Sequence, residues 1–311
     1  MQKFWSGLKK EFSKNYVLYL MALPSIILLI AFNYIPMFGQ LLAFKAFDVQ
    51  KGIIRSPWNG INNFKFLFST TDAWVITRNT VCYNVVFIVL NMFLAISLAV
   101  ALNELHSKKA AKVYQTILIM PHFLSIAIVA IIVFAFLGTT NGFVNVVRRF
   151  IGGSGVKNIN WYYNVPFWPP FLVFVHAWRG VGYSAVVYLA AITGISLEFY
   201  EAAMLDGATK MQQIRYITLP HLRTMATILL IMAVGGIFNG DFGLFYTVTQ
   251  NTGQLYPVTQ VIDTYVYNAL MTLNDIGRSS AATFYQTIVG FAMVMITNGI
   301  VRKVDPENSL F

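Results

Sequence analysis

The run Ala127–Leu137, AIVAIIVFAFL, is apolar on every side of a helix, and so is the shorter run Ile26–Ala31, IILLIA. A helix at a protein surface in water keeps one polar face, so a helix made of such runs must lie against lipid or against other apolar helices. Working outward, stretches of this character recur at Tyr16–Ile35, Asn79–Leu102, Val113–Leu137, Pro169–Thr193, Met225–Val248 and Ser279–Val301. Each has the length of about 20 residues that a helix needs to cross a hydrocarbon core about 30 Å thick. The sequence therefore predicts an all-α membrane protein with six transmembrane helices. Composition agrees, since 57% of residues are hydrophobic and 11% charged, against roughly a quarter charged in soluble domains.

The first apolar segment follows a basic stretch, as a signal peptide does. No small-residue cleavage site follows Tyr34, Ile35 and Pro36, so the segment is expected to stay in the protein. Ahead of it, Phe4, Trp5, Leu8 and Phe12 recur at helical spacing among Lys3, Lys9, Lys10 and Lys14. Residues 1–15 thus read as a basic amphipathic helix on the membrane surface. Residues 16–301 form one membrane domain, and 302–311 a tail.

Lys3, Lys9, Lys10 and Lys14, then Lys108, Lys109 and Lys112, then Lys210, Arg215 and Arg223, and finally Arg302 and Lys303 all fall on one side if six helices alternate. Short basic loops stay in the cytoplasm, which places both termini there in a multi-pass protein of the cell membrane. The net charge of +10 is spread over these flanks, where it suits anionic lipid, and forms no stripe for nucleic acid. Cys82 is the single cysteine. On the opposite side, Pro36–Arg78 reads as a structured cap, and Gly138–Trp168 carries the aromatic cluster Trp161, Tyr162, Tyr163 and Trp168. Such clusters are most often interface belts, with docking of an external partner as the other reading.

The loop Gly194–Arg223 has more designed local structure than a plain connection needs. Ser196 is placed to cap a short helix through Phe199, Glu201, Ala202, Ala203 and Leu205, and Asp206–Gly207 to stop it. Thr209 and Gln212 have the spacing of a capping box opening a second helix toward Ile217, which Leu219 and Pro220 are expected to end. Two short helices at a fixed angle make a rigid knob for a partner's groove; the alternative is a loop lying on the membrane.

Glu201, Ala202, Ala203, then Gly207, then Ile217, Thr218, Leu219 and Pro220 resemble the loop signature of permease subunits of bacterial binding-protein-dependent ABC importers. Tyr114, Gln115, Thr116, Ile117, Pro121 and Ser125, with Ile262, Asp263, Thr264, Tyr265, Val266 and Tyr267, are similar to the sugar-importer branch. Within that branch the likeness is strongest to lipoprotein-dependent polysaccharide and oligosaccharide permeases, and it extends to the maltose-importer permeases without their large extra domain. The resemblance implies a type I importer permease fold and a cytoplasmic coupling helix at about Phe199–Asp206, seated in an ATPase subunit. Glu201, Ala202, Ala203, Asp206, Gly207, Leu219 and Pro220 would form that joint. It further implies a second homologous permease, two ATPase subunits that hold ATP and Mg, an extracellular substrate-binding lipoprotein and a saccharide substrate.

Residue patterns agree with that division of labour. The sequence has no phosphate-binding Gly-x-x-x-x-Gly-Lys-Ser/Thr loop, and no His-Glu-x-x-His or clustered His and Cys ligands. No cofactor or metal is expected on this chain, nor any catalytic residue, and His106, His122, His176 and His221 read as ordinary structural histidines.

Polar residues inside apolar spans are costly and point to function. Arg179 stands within His176–Tyr183, and Asp241 within Gly235–Phe242. Trp178, Tyr183, Phe238 and Phe242 could offer flat faces to a sugar, with Arg179, Asn239 and Asp241 taking its hydroxyls and Gly180 leaving room. Gly180 and Tyr183 match the motif that lines the cavity in the maltose-importer family. Two other readings stand beside this one. Arg179 and Asp241 would brace two helices as an ion pair, or Arg179 would recognise an acidic saccharide. Rival functions are a permease for a non-sugar solute and an ion-coupled secondary transporter; the latter needs inverted repeats or charges in several spans, and neither is visible.

Overall fold

The computed structural model describes residues 14–65, 69–153 and 155–304. The proposed surface helix at 1–15 falls almost wholly outside these residues, as does most of the tail. Among the described residues, five helical stretches are long and apolar enough to cross a membrane: Tyr16–Phe44, Thr71–Asn103, Val165–Thr193, Lys210–Gly235 and Ile276–Lys303. The pair Lys108–Phe123 and Ile126–Leu137, bent by 94° between its halves, is long and apolar enough together to make a sixth candidate crossing.

The main helices are α1 (Tyr16–Leu29), α2 (Thr71–Asn103), α3 (Lys108–Ile119), α4 (Ile126–Leu137), α5 (Phe143–Gly152), α6 (Trp168–Thr193), α7 (Leu197–Leu205), α8 (Leu219–Gly235), α9 (Ile262–Met271) and α10 (Ile276–Val304). Helix α1 buries none of its residues within the chain. The centre of the bundle is α6 packed along α2.

That contact is close because its residues are small. Ala95 and Ala99 of α2 meet Val181, Ala185, Tyr188 and Ile192 of α6, with Leu222 of α8 closing the cluster. In an apolar solvent helices associate through such packing and gain nothing from leaving lipid for protein, so small side chains that let backbones approach are favoured. Gly182 shows the limit, because a Cβ there would overlap the carbonyl of Leu118 on α3. A second cluster joins Tyr83 and Phe87 to Val129, Val133, Trp168, Leu172 and Phe245. A third gathers Ile76, Phe238, Ile262, Tyr265, Ala281 and Ala282.

Two predicted spans are not the straight helices that their hydropathy suggests. Val113–Leu137 breaks at Leu124 and Ser125, both extended, where the Ser125 Oγ accepts from the Ile128 N–H at 3.4 Å and starts a new helix. Pro121, without an N–H, weakens the ladder just before the break. Met225–Val248 stops being α-helical at Gly235, and the chain crosses residues 236–242 irregularly before a π-helical turn over Gly243–Val248. Gly235, Gly236 and Gly240 make helix continuation expensive at that point.

The irregular crossing is held from three helices. Asn84 of α2 donates to the carbonyls of Ile237 at 2.9 Å and Asn239 at 3.2 Å. Gln286 of α10 donates to the Phe238 carbonyl at 2.7 Å and to Asn239 Oδ1 at 3.0 Å. Asp263 of α9 accepts from the Gly240 N–H. Backbone outside a helix is tolerated at membrane depth only when protein supplies such partners.

Candidate functional site

The loop between α6 and α8 forms as its residues suggest. The Ser196 side chain accepts from the Glu198 N–H at 3.3 Å and opens α7. Gly207 ends it with φ +78°, a left-handed conformation that costs an L-residue about 1–2 kcal/mol. Thr209 and Gln212 form the capping box: Gln212 Oε1 accepts from the Thr209 N–H at 2.7 Å, and Thr209 Oγ1 from the Gln212 N–H at 3.4 Å.

The expected stop at Leu219–Pro220 does not occur. Lys210–Gln213 runs through a π-helical turn, Ile214–Thr218, directly into α8. Pro220 sits at the first positions of α8, where a missing N–H is tolerated, and the widened turn before it absorbs the lost bond. Leu219 and Pro220 thus carry the helix onward into the membrane.

Helix α7 stands off the bundle, with Glu201, Ala202, Asp206 and Gly207 exposed and Ala203 half-buried. Leu205 is 90% exposed and Leu197 72%. Its base is tied down: Tyr200 and Thr218 hydroxyls lie 2.9 Å apart, Phe199 packs near His221, and Lys210 Nζ is 3.5 Å from Glu104 Oε2 at the end of α2.

Within the membrane region, α2, α4, α6 and the segment at Asp241–Leu244 line an open cavity of about 270 Å³ whose walls include Asn91, His122, His176, Arg179, Tyr183 and Asp241. It adjoins a second cavity of about 300 Å³ that shares Asn91, His176 and Ser184 with it. Of the residues proposed for the site, Arg179, Gly180, Tyr183 and Asp241 meet here. Arg179 NH1 lies 4.0 Å and His176 Nδ1 3.9 Å from Asp241 Oδ2, and Asp241 Oδ1 accepts from the Leu244 N–H at 3.1 Å. The Arg179 Nε is shut away from solvent with no hydrogen-bond partner among the described residues.

The other proposed platforms stand elsewhere. Trp178 is turned off the cavity face of α6, a helical step of about 100° from its neighbour Arg179. Phe238 is buried, 6% exposed, with its ring edge-on to Tyr285. Phe242 stacks on Tyr246 at 4.8 Å and packs on Tyr267 at 5.0 Å. Asn239 is engaged by Gln286 and Asn84.

Conversely, His122 and His176, which the sequence suggests are structural histidines, line the walls together with Asn91 and Ser184. His176 lies flat on Phe87 with ring centroids 3.7 Å apart, and His122 stacks on Tyr183 at 4.5 Å. His176, Arg179, Gly180 and Tyr183 follow one another at the spacing of a single helix face, which is the signal in the sequence that would have joined His176 to the site.

Residues 91–309 match the family described as binding-protein-dependent transport system inner membrane component. The chain belongs to that family. It is 33% identical to the polygalacturonan/rhamnogalacturonan transport system permease protein YteP of Bacillus subtilis (strain 168), over 93% of this chain and 89% of that protein. It is 30% identical to protein LplB of the same organism, over 93% and 90% of the two chains. Among solved structures it superposes with a TM-score of 0.85 at 31% identity, over 96% of this chain and 99% of the other, on a chain of a bacterial ABC transporter involved in the import of the acidic polysaccharide alginate. A structure of bacterial alginate ABC transporter with a pentasaccharide-bound periplasmic protein gives 0.83 at 30% identity. This permease is therefore a multi-pass membrane component of binding-protein-dependent transport with the type I importer fold.

Proposed function

We propose that this permease forms half of the path by which an ATP-driven importer moves an acidic oligosaccharide or polysaccharide into the cell. The observation that carries the proposal is Arg179, a cation inside a membrane span, lining a cavity together with Tyr183, His176, Asn91 and Asp241. An arginine offers a planar fork of donors that suits a carboxylate, and a partly dry site strengthens the contact. Two similar structures are of alginate transporters, one of them involved in the import of the acidic polysaccharide alginate, and a relative is a polygalacturonan/rhamnogalacturonan permease, which supports the same class here.

In this reading the substrate comes from an external binding lipoprotein, and a second related permease supplies the other half of the path. Helix α7, with Glu201, Ala202, Ala203, Asp206 and Gly207 around its turn, seats in one of two ATPase subunits that hold ATP and Mg. Both termini then face the cytoplasm, on the side of α7.

A second reading has an observation of its own, since Asp241 lies 4.0 Å from Arg179 and would brace α6 through it. That distance is at the outer limit of an ion pair, so Asp241 does not take up the five donors of the guanidinium. Uptake by the reconstituted importer decides between them. Arg179→Gln is expected to lower uptake of uronic-acid oligosaccharides roughly ten- to a hundredfold, the value of about 1.5–3 kcal/mol for a bond to a charged group, while sparing neutral ones. Equal loss on both would refute recognition of acid by Arg179.

A further inference from the structure

Helix α5, Phe143–Gly152, is built inside out. It connects α4 to the start of α6, on the membrane face opposite Gly207. Its polar residues point at the protein. Asn145 is 1% exposed and donates to the carbonyls of Gly138, Thr139 and Ile159 at 3.2, 3.2 and 2.9 Å, while its Oδ1 accepts from the Ile159 N–H at 3.0 Å. Arg148 donates to Asn145 Oδ1 and the Lys157 carbonyl, and Arg149 to the Thr140 carbonyl and Asn158 Oδ1.

The opposite face, Phe143, Val146, Phe150 and Ile151, points away, with Phe150 89% and Ile151 79% exposed. These residues follow the spacing of one helical stripe. The stripe is continuous with the outer surface of α4, because Phe143 sits edge-on to Phe136 at 5.4 Å. Helix α4 is itself apolar all round and carries Ile131, Phe134 and Phe136 outward.

Charge separates the candidate occupants. Between Gly138 and Trp168 stand Arg148, Arg149 and Lys157 and not one acidic residue. A helix with an apolar stripe, flanking cations and no anions is suited to the boundary between acyl chains and anionic headgroups. We infer that α5 lies flat in the outer leaflet, its Phe150 face in the acyl region and its arginines at headgroup level, bracing that end of the α4–α6 connection against the bilayer.

Spin labels on the complete importer test this, in a Cys82→Ser background and in vesicles of phosphatidylcholine with phosphatidylglycerol. Labels are placed by Phe150→Cys and Val146→Cys on the stripe, and by Asn158→Cys on the polar side. The expected result is collision with oxygen several-fold in excess of collision with a water-soluble nickel chelate at the two stripe positions, and the reverse at Asn158. Free access of nickel to the stripe would place α5 in water, and exclusion of both reagents would place it against a protein partner; either overturns the inference. Ile151→Cys repeats the measurement if one stripe variant assembles poorly.

Discussion

Gln286→Leu tests how the irregular crossing between α8 and Asp241 is held. The variant keeps the size of the side chain and removes both donors. Four acceptors lose a partner: the Phe238 carbonyl, bonded at 2.7 Å in a partly buried setting; Asn239 Oδ1, which is exposed and can turn to water; and the two Asp263 carboxylate oxygens at 3.3 and 3.4 Å, a carboxylate that keeps its bond from the Gly240 N–H. Only the first loss is expensive, and an acceptor left unsatisfied away from water costs about 1–3 kcal/mol. Asn84 and Asp263 still grip the neighbouring residues, so the segment loosens without detaching. Taking about 2 kcal/mol, the opened population of residues 236–241 rises by a factor of about 30. Hydrogen exchange read by mass spectrometry on the detergent-solubilised importer reports this directly, since amides such as Asn239, bonded to the Gly236 carbonyl at 2.8 Å, exchange only on opening. Exchange at the wild-type rate in peptides covering 236–241 would refute the claim that Gln286 holds this segment.

Gly207→Val puts a β-branched residue at φ +78°, at about 1–2 kcal/mol or more; substrate-stimulated ATP hydrolysis by the importer should fall while the permease still inserts, and unaltered stimulation would contradict a role for this turn in coupling. Leu205→Cys in a Cys82→Ser background should form a disulfide with cysteines scanned across the ATPase surface; failure at every position would remove α7 as the docking element. Asn145→Ala removes the donor shared by the Gly138, Thr139 and Ile159 carbonyls and the acceptor of the Ile159 N–H and Arg148, and should lower stability to heat in detergent by about 3 kcal/mol, toward the upper part of the range for single substitutions; an unchanged melting curve would show that Asn145 does not hold α5.

How much of this was legible in the sequence depended on the kind of signal. Crossing helices announce themselves because lipid demands about 20 apolar residues in a row, and the capped loop Ser196–Gln212 because each cap is a local choice of residue at fixed spacing. The interruptions at Ser125 and Gly236 escaped hydropathy, since a broken crossing is as apolar as a straight one. Pro220 was expected to end a helix because proline usually does, and the π turn Ile214–Thr218 that accommodates it has no sequence mark of its own. In the cavity, Arg179 and Asp241 could be proposed because charge is costly in a span, and Gly180 and Tyr183 because they match a family motif. Phe238 and Phe242 could not be separated from cavity walls by type alone, since an aromatic ring serves a core equally well. Asn91 comes from α2 and His122 from the break after α3, and only the packing of α6 brings them to Tyr183.

The rod that opens at Thr209 runs without interruption to Gly235, 26 residues from Lys210 or roughly 39 Å at helical rise. Asp241 hangs a few residues beyond its far end, across a segment gripped by α2, α9 and α10. A tilt applied near Gly207 therefore has no slack joint to dissipate in before it reaches the carboxylate opposite Arg179. On the proposed reading, in which α7 seats in an ATPase and the cavity takes an acidic saccharide, the two are ends of one crank, and turning the outer end would change how firmly the inner end holds its guest.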